Sequence, residues 1–153
     1  MDIASRYFTR RKFMTAAGAG TLAAALPRRL RAAEPTAAER ANLELVNDFC
    51  AGWTVPIDWD KLGAALAADC KFRPTQTMPV VEGRDAIIAM LQGFAREATA
   101  AEFEVVDSWA RGPVVVNDRV DRFALPGNDV EVPVVGVFHV IDGEIAEWSD
   151  FTF

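Results

Sequence analysis

From Phe103 onward the apolar residues fall on alternate positions, and three turn signals cut this stretch into four runs. The turns are Arg111-Gly112-Pro113, Pro126-Gly127-Asn128-Asp129 and Asp142-Gly143. The runs are Phe103 to Trp109, Val114 to Leu125, Val130 to Ile141 and Ile145 to Phe153. Alternating runs joined this tightly fold as hairpins, which predicts an antiparallel sheet. The chain before them has a helical period. Thr36 and Glu39 form a capping-box pattern, and Leu43, Val46, Phe49, Cys50 and Trp53 give one stripe of a helix ending near Trp53. After Pro56, a second helix is predicted from Asp58 or Asp60 and finished by Asp69. A short strand follows over Lys71 to Arg73, then a loop from Pro74 to Pro79. A third helix spans Ala86 to about Ala98. The layout is α+β, an antiparallel sheet packed on three N-terminal helices. A curved sheet wrapped on helices leaves a concave pocket for a small ligand.

Residues 1–33 do not fit that domain, which occupies 34–153. Thr9-Arg10-Arg11-Lys12-Phe13-Met14 resembles the twin-arginine export motif. A weakly apolar, Gly/Ala-rich run from Thr15 to Leu26 follows, then Pro27, Arg28, Arg29, Arg31 and the small Ala32 and Ala33. This reads as a signal peptide, with export by the twin-arginine route to the periplasm or beyond, and no stable membrane anchor after cleavage. Without it, nine basic and 21 acidic residues remain, a net charge of −12. So acidic a body argues against nucleic-acid binding. Cys50 and Cys70 read as buried free thiols in helical surroundings, with a disulfide between them the alternative that an oxidising compartment permits. A single histidine, His139, and no CxxC leave no metal-ligand pattern, and no cofactor is expected.

The run Val114 to Leu125 holds the candidate chemistry. Val115, Asn117, Arg119, Asp121 and Phe123 share one face; Val116, Asp118, Val120 and Arg122 share the other. Both faces carry charge, and spacing alone favours a solvated, salt-bridged strand. If a neighbouring strand brings Asp150 alongside, Arg119 and Asp121 join it in an Asp–Arg–Asp cluster. One guanidinium between two carboxylates can keep one neutral and the other ionised. Register decides this. A two-residue turn at Asp142-Gly143 sets Asp150 opposite Val135, and a three-residue turn sets it opposite Val134. His139 reads as a packed or surface residue, Trp109 and Trp148 as core or pocket wall, and Asp107 as surface.

Four segments resemble the limonene-1,2-epoxide hydrolase family. They are Glu82-Gly83-Arg84-Asp85-Ala86, Asp118-Arg119-Val120-Asp121, Val135-Gly136-Val137-Phe138 and the stretch Gly143 to Phe151, which contains Trp148-Ser149-Asp150. Their order and spacing match over Leu66 to Phe153. The resemblance implies the cone-shaped fold shared with nuclear transport factor 2 and ketosteroid isomerase. It also implies hydrolysis of a small hydrophobic epoxide in one step, and commonly a homodimer. Asp150 would be the general base that activates water and Asp121 the general acid. Arg119 would lie between them. Phe72, Phe123, Val132, Val134 and Trp148 would line the substrate pocket. The sequence departs from the family at the Tyr and Asn that help hold the water, where Phe72 and Pro74 stand and cannot hydrogen-bond one. Arg73, Thr75 or Gln76 are the substitutes nearby. Two alternatives stay open: an isomerase or cyclase using one carboxylate for proton transfer, and a non-catalytic small-ligand-binding module.

Overall fold

Thr36 starts the first helix as its spacing from Glu39 predicts. Its hydroxyl accepts from the Glu39 N–H, and the Glu39 carboxylate accepts from the Thr36 N–H at 2.7 Å. The computed structural model describes residues 34–153, so the leader expected over 1–33 lies outside the described residues. In chain order the elements are α1 (Ala37–Ala51), α2 (Trp59–Ala64), β1 (Leu66–Arg73), β2 (Val81–Glu82), α3 (Arg84–Ala95), β3 (Ala100–Arg111), β4 (Val114–Leu125), β5 (Asn128–Ile141) and β6 (Glu144–Thr152).

The six strands form one open, curved sheet in the order β2-β1-β6-β5-β4-β3. The three predicted hairpin turns join β3 to β6. The sheet is mixed rather than wholly antiparallel, because β1 runs parallel to β6. That pairing also corrects the boundary of the second helix. The alanine-rich segment 65–69 looks helical, yet Leu66 to Arg73 is strand, pairing with β6 at Leu66 opposite Ile145 and, after a register shift, at Phe72 opposite Trp148. Helix propensity yields here to strand pairing, with Leu66, Cys70 and Phe72 buried. Cys70 therefore sits on a strand, not a helix. Both thiols are free and buried, as expected. Strand β6, last in sequence, is interior in the sheet, flanked by β1 and β5.

Two bulges reset which residues face inward. In β3 the register shifts between Val105 and Asp107, so Phe103 and Val105 face the core while Trp109 is turned outward, 50% exposed. Trp109 is thus neither core nor pocket wall. Asp107 is exposed, as expected. In β6 the Asp142-Gly143 turn is the two-residue form, with positive φ at both residues. A shift then follows, Val140 pairing with Ile145 but His139 with Glu147. The extra residue puts Asp150 opposite Gly136, rather than Val135 or Val134 as turn length alone predicts. It also brings Trp148 and Asp150 to the same inner face as Ile145.

The helices cover that inner face. Val46, Phe49 and Cys50 of α1 and Ile87, Leu91 and Ala95 of α3 are buried against it. Glu39 fixes the placement of α1: its second carboxylate oxygen accepts from the Gly112 N–H in the β3–β4 turn at 2.8 Å. Arg84, at the start of α3, donates to the Leu66 carbonyl at 2.7 Å and pairs with Glu144 at 3.1 Å.

Candidate active site

From Val115 to Phe123 the inner face of β4 is buried. Val115, Asn117 and Arg119 have no exposed surface, Phe123 has little, and Asp121 is 7% exposed. The predicted solvated strand is therefore only the outer face. Register lays the site out in rows across three strands. Asp121 pairs with Val132, Arg119 with Val134, and Asn117 with Gly136, which in turn pairs with Asp150.

Arg119 thus starts on β4, yet it reaches Asp150 two strands away. Its Nη2 donates to Asp150 Oδ2 at 2.8 Å. Its Nε and Nη2 also donate to the two oxygens of Asp121, at 2.7 and 3.1 Å. The guanidinium crosses β5 over Gly136. A Cβ there would lie 2.2 Å from Arg119 Nη1, 2.5 Å from Asn117 Oδ1 and 2.8 Å from the Phe138 ring. Three more partners complete the shell. Asn117 Oδ1 accepts from Nη1 at 3.1 Å, Phe103 lies beneath the guanidinium at 4.8 Å, and Trp148 Nε1 donates to Asp150 Oδ1 at 2.7 Å.

The electrostatics follow from one cation shared by two buried carboxylates. With both ionised, the cluster carries a net negative charge in apolar surroundings. One proton makes it neutral. Burial pushes the Asp150 carboxyl up to about 6, against the pull of Arg119 and the Trp148 hydrogen bond. Burial pushes Asp121 up as well, again against Arg119. Burial opposes the charge on Arg119, but Asp150 and Asp121 raise its pKa, so it stays cationic. The two carboxyls titrate as a linked pair.

Above the cluster lies a cavity of about 520 Å³. Asp121 and Asp150 both line it, and so do all five predicted pocket residues, Phe72, Phe123, Val132, Val134 and Trp148. Phe72 stacks on Trp148 at 3.8 Å, and Trp53 stacks on Phe103 at 4.3 Å, which makes two aromatic walls. Pro74, Thr75 and Thr152 also line it; Arg73 and Gln76 do not. Gln76 instead ties its loop to β6, its Nε2 donating to the Thr152 carbonyl at 2.7 Å. His139 is half-buried and away from this cavity. Three features were not given roles by the sequence: Asn117, Gly136 and the Trp148 indole N–H. The signals were a polar residue on an apolar face, a glycine inside a strand, and the i, i+2 spacing of Trp148 and Asp150.

Comparison with known proteins agrees with this geometry. The sequence model of the limonene-1,2-epoxide hydrolase (LEH) catalytic domain matches residues 41–153. An M. tuberculosis LEH-like epoxide hydrolase superposes with a TM-score of 0.67 at 23% identity, covering 75% of this chain and 84% of that one. A Jannaschia sp. CCS1 protein described as a SnoaL-like polyketide cyclase gives 0.70 at 22% identity, covering 78% and 90%. A Kribbella flavida protein described as a ketosteroid isomerase gives 0.63 at 19% identity, covering 75% and 79%. These three share the fold. No curated protein sequence matches. The family match spans most of α1, the other helices, the sheet and the whole Asp–Arg–Asp cluster, so the chain belongs to the limonene-1,2-epoxide hydrolase catalytic-domain family.

Proposed function

We propose that the protein adds water to a small apolar epoxide in one step, giving a diol without a covalent enzyme intermediate. The observation that carries this reading is the Arg119 guanidinium bonded to both Asp121 and Asp150 at the polar floor of an apolar cavity. Ionised Asp150 takes a proton from water while the water oxygen bonds to an epoxide carbon. The C–O bond on that carbon breaks, and neutral Asp121 gives its proton to the departing oxygen. One proton has then moved from Asp121 to product and another from water to Asp150. Transfer from Asp150 back to Asp121 resets the site. Arg119 remains a cation throughout and keeps the two carboxyls in opposite states. The aromatic walls bind the hydrocarbon and exclude bulk water, which strengthens the charges on the floor.

The test is turnover of an epoxide panel, read as diol. Asp150→Asn and Asp121→Asn should each lower kcat about 100-fold to 10,000-fold. Diol formation that survives both changes assigns the chemistry elsewhere.

A second reading is supported by a specific observation. The side chains of Phe72 and Pro74 line the cavity and offer no hydrogen bond to a water. Proton transfer next to a carbonyl, as in an isomerase or cyclase, needs only one carboxylate and no held water. Deuterium exchange into a bound ketone, without diol from any epoxide, supports it over hydrolysis. No turnover of an epoxide or a ketone by the wild type, with ligand binding unaltered in both Asp→Asn variants, leaves a binding module.

Export by the twin-arginine route is proposed from residues 9–33 alone. A shortened product in the periplasmic or extracellular fraction, lost on changing Arg10 and Arg11 to Lys, tests it. Homodimer formation is proposed from family membership, with sedimentation as its test.

A further inference from the structure

Asp150, Gly136 and Asn117 form one row across β6, β5 and β4, and Arg119 enters that row from two residues away. The guanidinium can reach Asp150 only by passing over β5. Neighbouring strands lie about 5 Å apart, so the crossing spans roughly 10 Å of sheet. At the crossing point the strand carries no side chain. Any Cβ at Gly136 would meet Nη1 and Asn117 Oδ1 well inside contact distance, and neither atom is the free end of an exposed chain. Arg119 is held at every side, by two carboxylates, an amide and an aromatic ring.

Asn117 determines which edge of the guanidinium faces the carboxylates. Arginine only donates, so the amide oxygen must face Nη1 and the amide nitrogen must face away. That nitrogen lies 3.3 Å from Cys50 Sγ on α1, which accepts its hydrogen bond. Asn117 therefore ties Nη1 to the helix layer and leaves Nε and Nη2 for Asp121 and Asp150. It does so without adding charge. The charged or titratable groups facing this point are Arg119 and Asp121 from β4, Asp150 from β6 and Cys50 from α1. Strands β3 and β5 present Phe103, Val134 and Phe138. The Cys50 thiol, pushed up to about 12 by burial, stays neutral over the working range.

We infer that Asn117 and Gly136 are positioning residues of the acid–base pair: Gly136 supplies the opening through which Arg119 crosses β5, and Asn117 supplies the neutral anchor that orients it. This rests on the reading of Asp121 and Asp150 as acid and base, so the test has one arm that needs no turnover. In that arm, the carboxyl carbons of Asp121 and Asp150 are titrated by carbon-13 NMR in the wild type, Asn117→Asp, Asn117→Ala and Gly136→Ala. The second arm measures kcat and KM on whichever epoxide the wild type accepts.

Asn117→Asp is nearly isosteric and adds a third carboxylate beside one cation. Both titrations should move to higher pH, and the pH–rate profile should move with them. Gly136→Ala removes no hydrogen-bonding group, yet must displace Arg119. It and Asn117→Ala should lower kcat about 100-fold while KM changes little, because the reacting groups are misplaced rather than the binding surface. If Asn117→Ala does not fold, Asn117→Asp decides the role of Asn117; the role of Gly136 is decided by Gly136→Ala. Titrations that overlay the wild type in folded variants overturn the inference, whatever the turnover. Shifted titrations with no epoxide turnover by any form support the positioning roles and overturn the hydrolase reading instead.

Discussion

Strand β4 carries two arginines three residues apart, one on each face, and each sits among carboxylates. Arg122 faces outward with Glu104, Glu131 and Glu102, and its side chain is 37% exposed. Arg119 faces inward with Asp121 and Asp150, and its side chain is fully buried. The chemistry of the pairs is the same, and the difference is solvent. At Arg122 water and salt screen each charge, so the pairing there contributes little and needs no replacement for lost solvent. At Arg119 the two carboxylates have only the guanidinium and a few donors to replace water, and the cluster favours holding one proton. On the proposed reading, one carboxyl then serves as the acid and the other as the base. Charge pairing marks both faces; desolvation marks the site.

The largest effect is expected at Arg119. Arg119→Met leaves two buried carboxyls without their cation, and a buried pair that loses one partner typically costs about 3–5 kcal/mol. Thermal unfolding should show a large fall in Tm at pH 8. The loss should shrink towards pH 4, where the carboxyls are protonated and need no partner. A loss independent of pH would mean that packing, not charge, is what Arg119 provides.

Next in size is a pH dependence of opposite sign at two buried acids. The folded Asp150 carboxyl titrates near 6 rather than 3.8. Its stabilising contribution is complete below the unfolded value and is lost as pH rises through about 6. Glu39 behaves the other way. Hydrogen bonds from the Gly112 and Thr36 backbones lower it from 4.5 to about 2, so its contribution is present above 4.5 and is lost as pH falls towards 2. Denaturant titrations should show Asp150→Asn flattening the decline in stability between pH 4 and 6. Glu39→Gln should flatten only the decline below about 4.5. The smallest effect is expected at the other arginine. Arg122→Gln should leave kcat and KM unchanged, with a slight shift in Tm that vanishes in high salt. A loss of turnover in Arg122→Gln would remove the distinction between the two faces.

Much of this contrast was legible in the sequence, but not which face was which. The period-two runs and the three turns identified the hairpins, and the shared face of Asn117, Arg119, Asp121 and Phe123 was plain from spacing. Alternation says nothing about which face is buried when both carry charge. The two bulges were also silent, because an extra residue leaves the local composition unchanged while reversing every side chain beyond it. That is why Trp109 turned outward against expectation and why Asp150 met Gly136. Residues 65–69 misled for another reason. Alanine favours a helix locally, and the pairing of β1 with β6, set by residues about 80 positions away, ends the helix at Ala64 and makes Leu66 onward a strand. The resemblance to the epoxide hydrolase family resolved the face by analogy. The structure supplies its physical cause: α1 and α3 cover the side that Arg119 is on.

The most direct test of the acid–base reading is a single turnover of an epoxide by excess enzyme in water enriched in oxygen-18. If Asp150 activates water and never bonds to carbon, the first diol formed already carries solvent oxygen. A first diol carrying unlabelled oxygen from an enzyme carboxylate, or no diol at all, would contradict the acid–base reading.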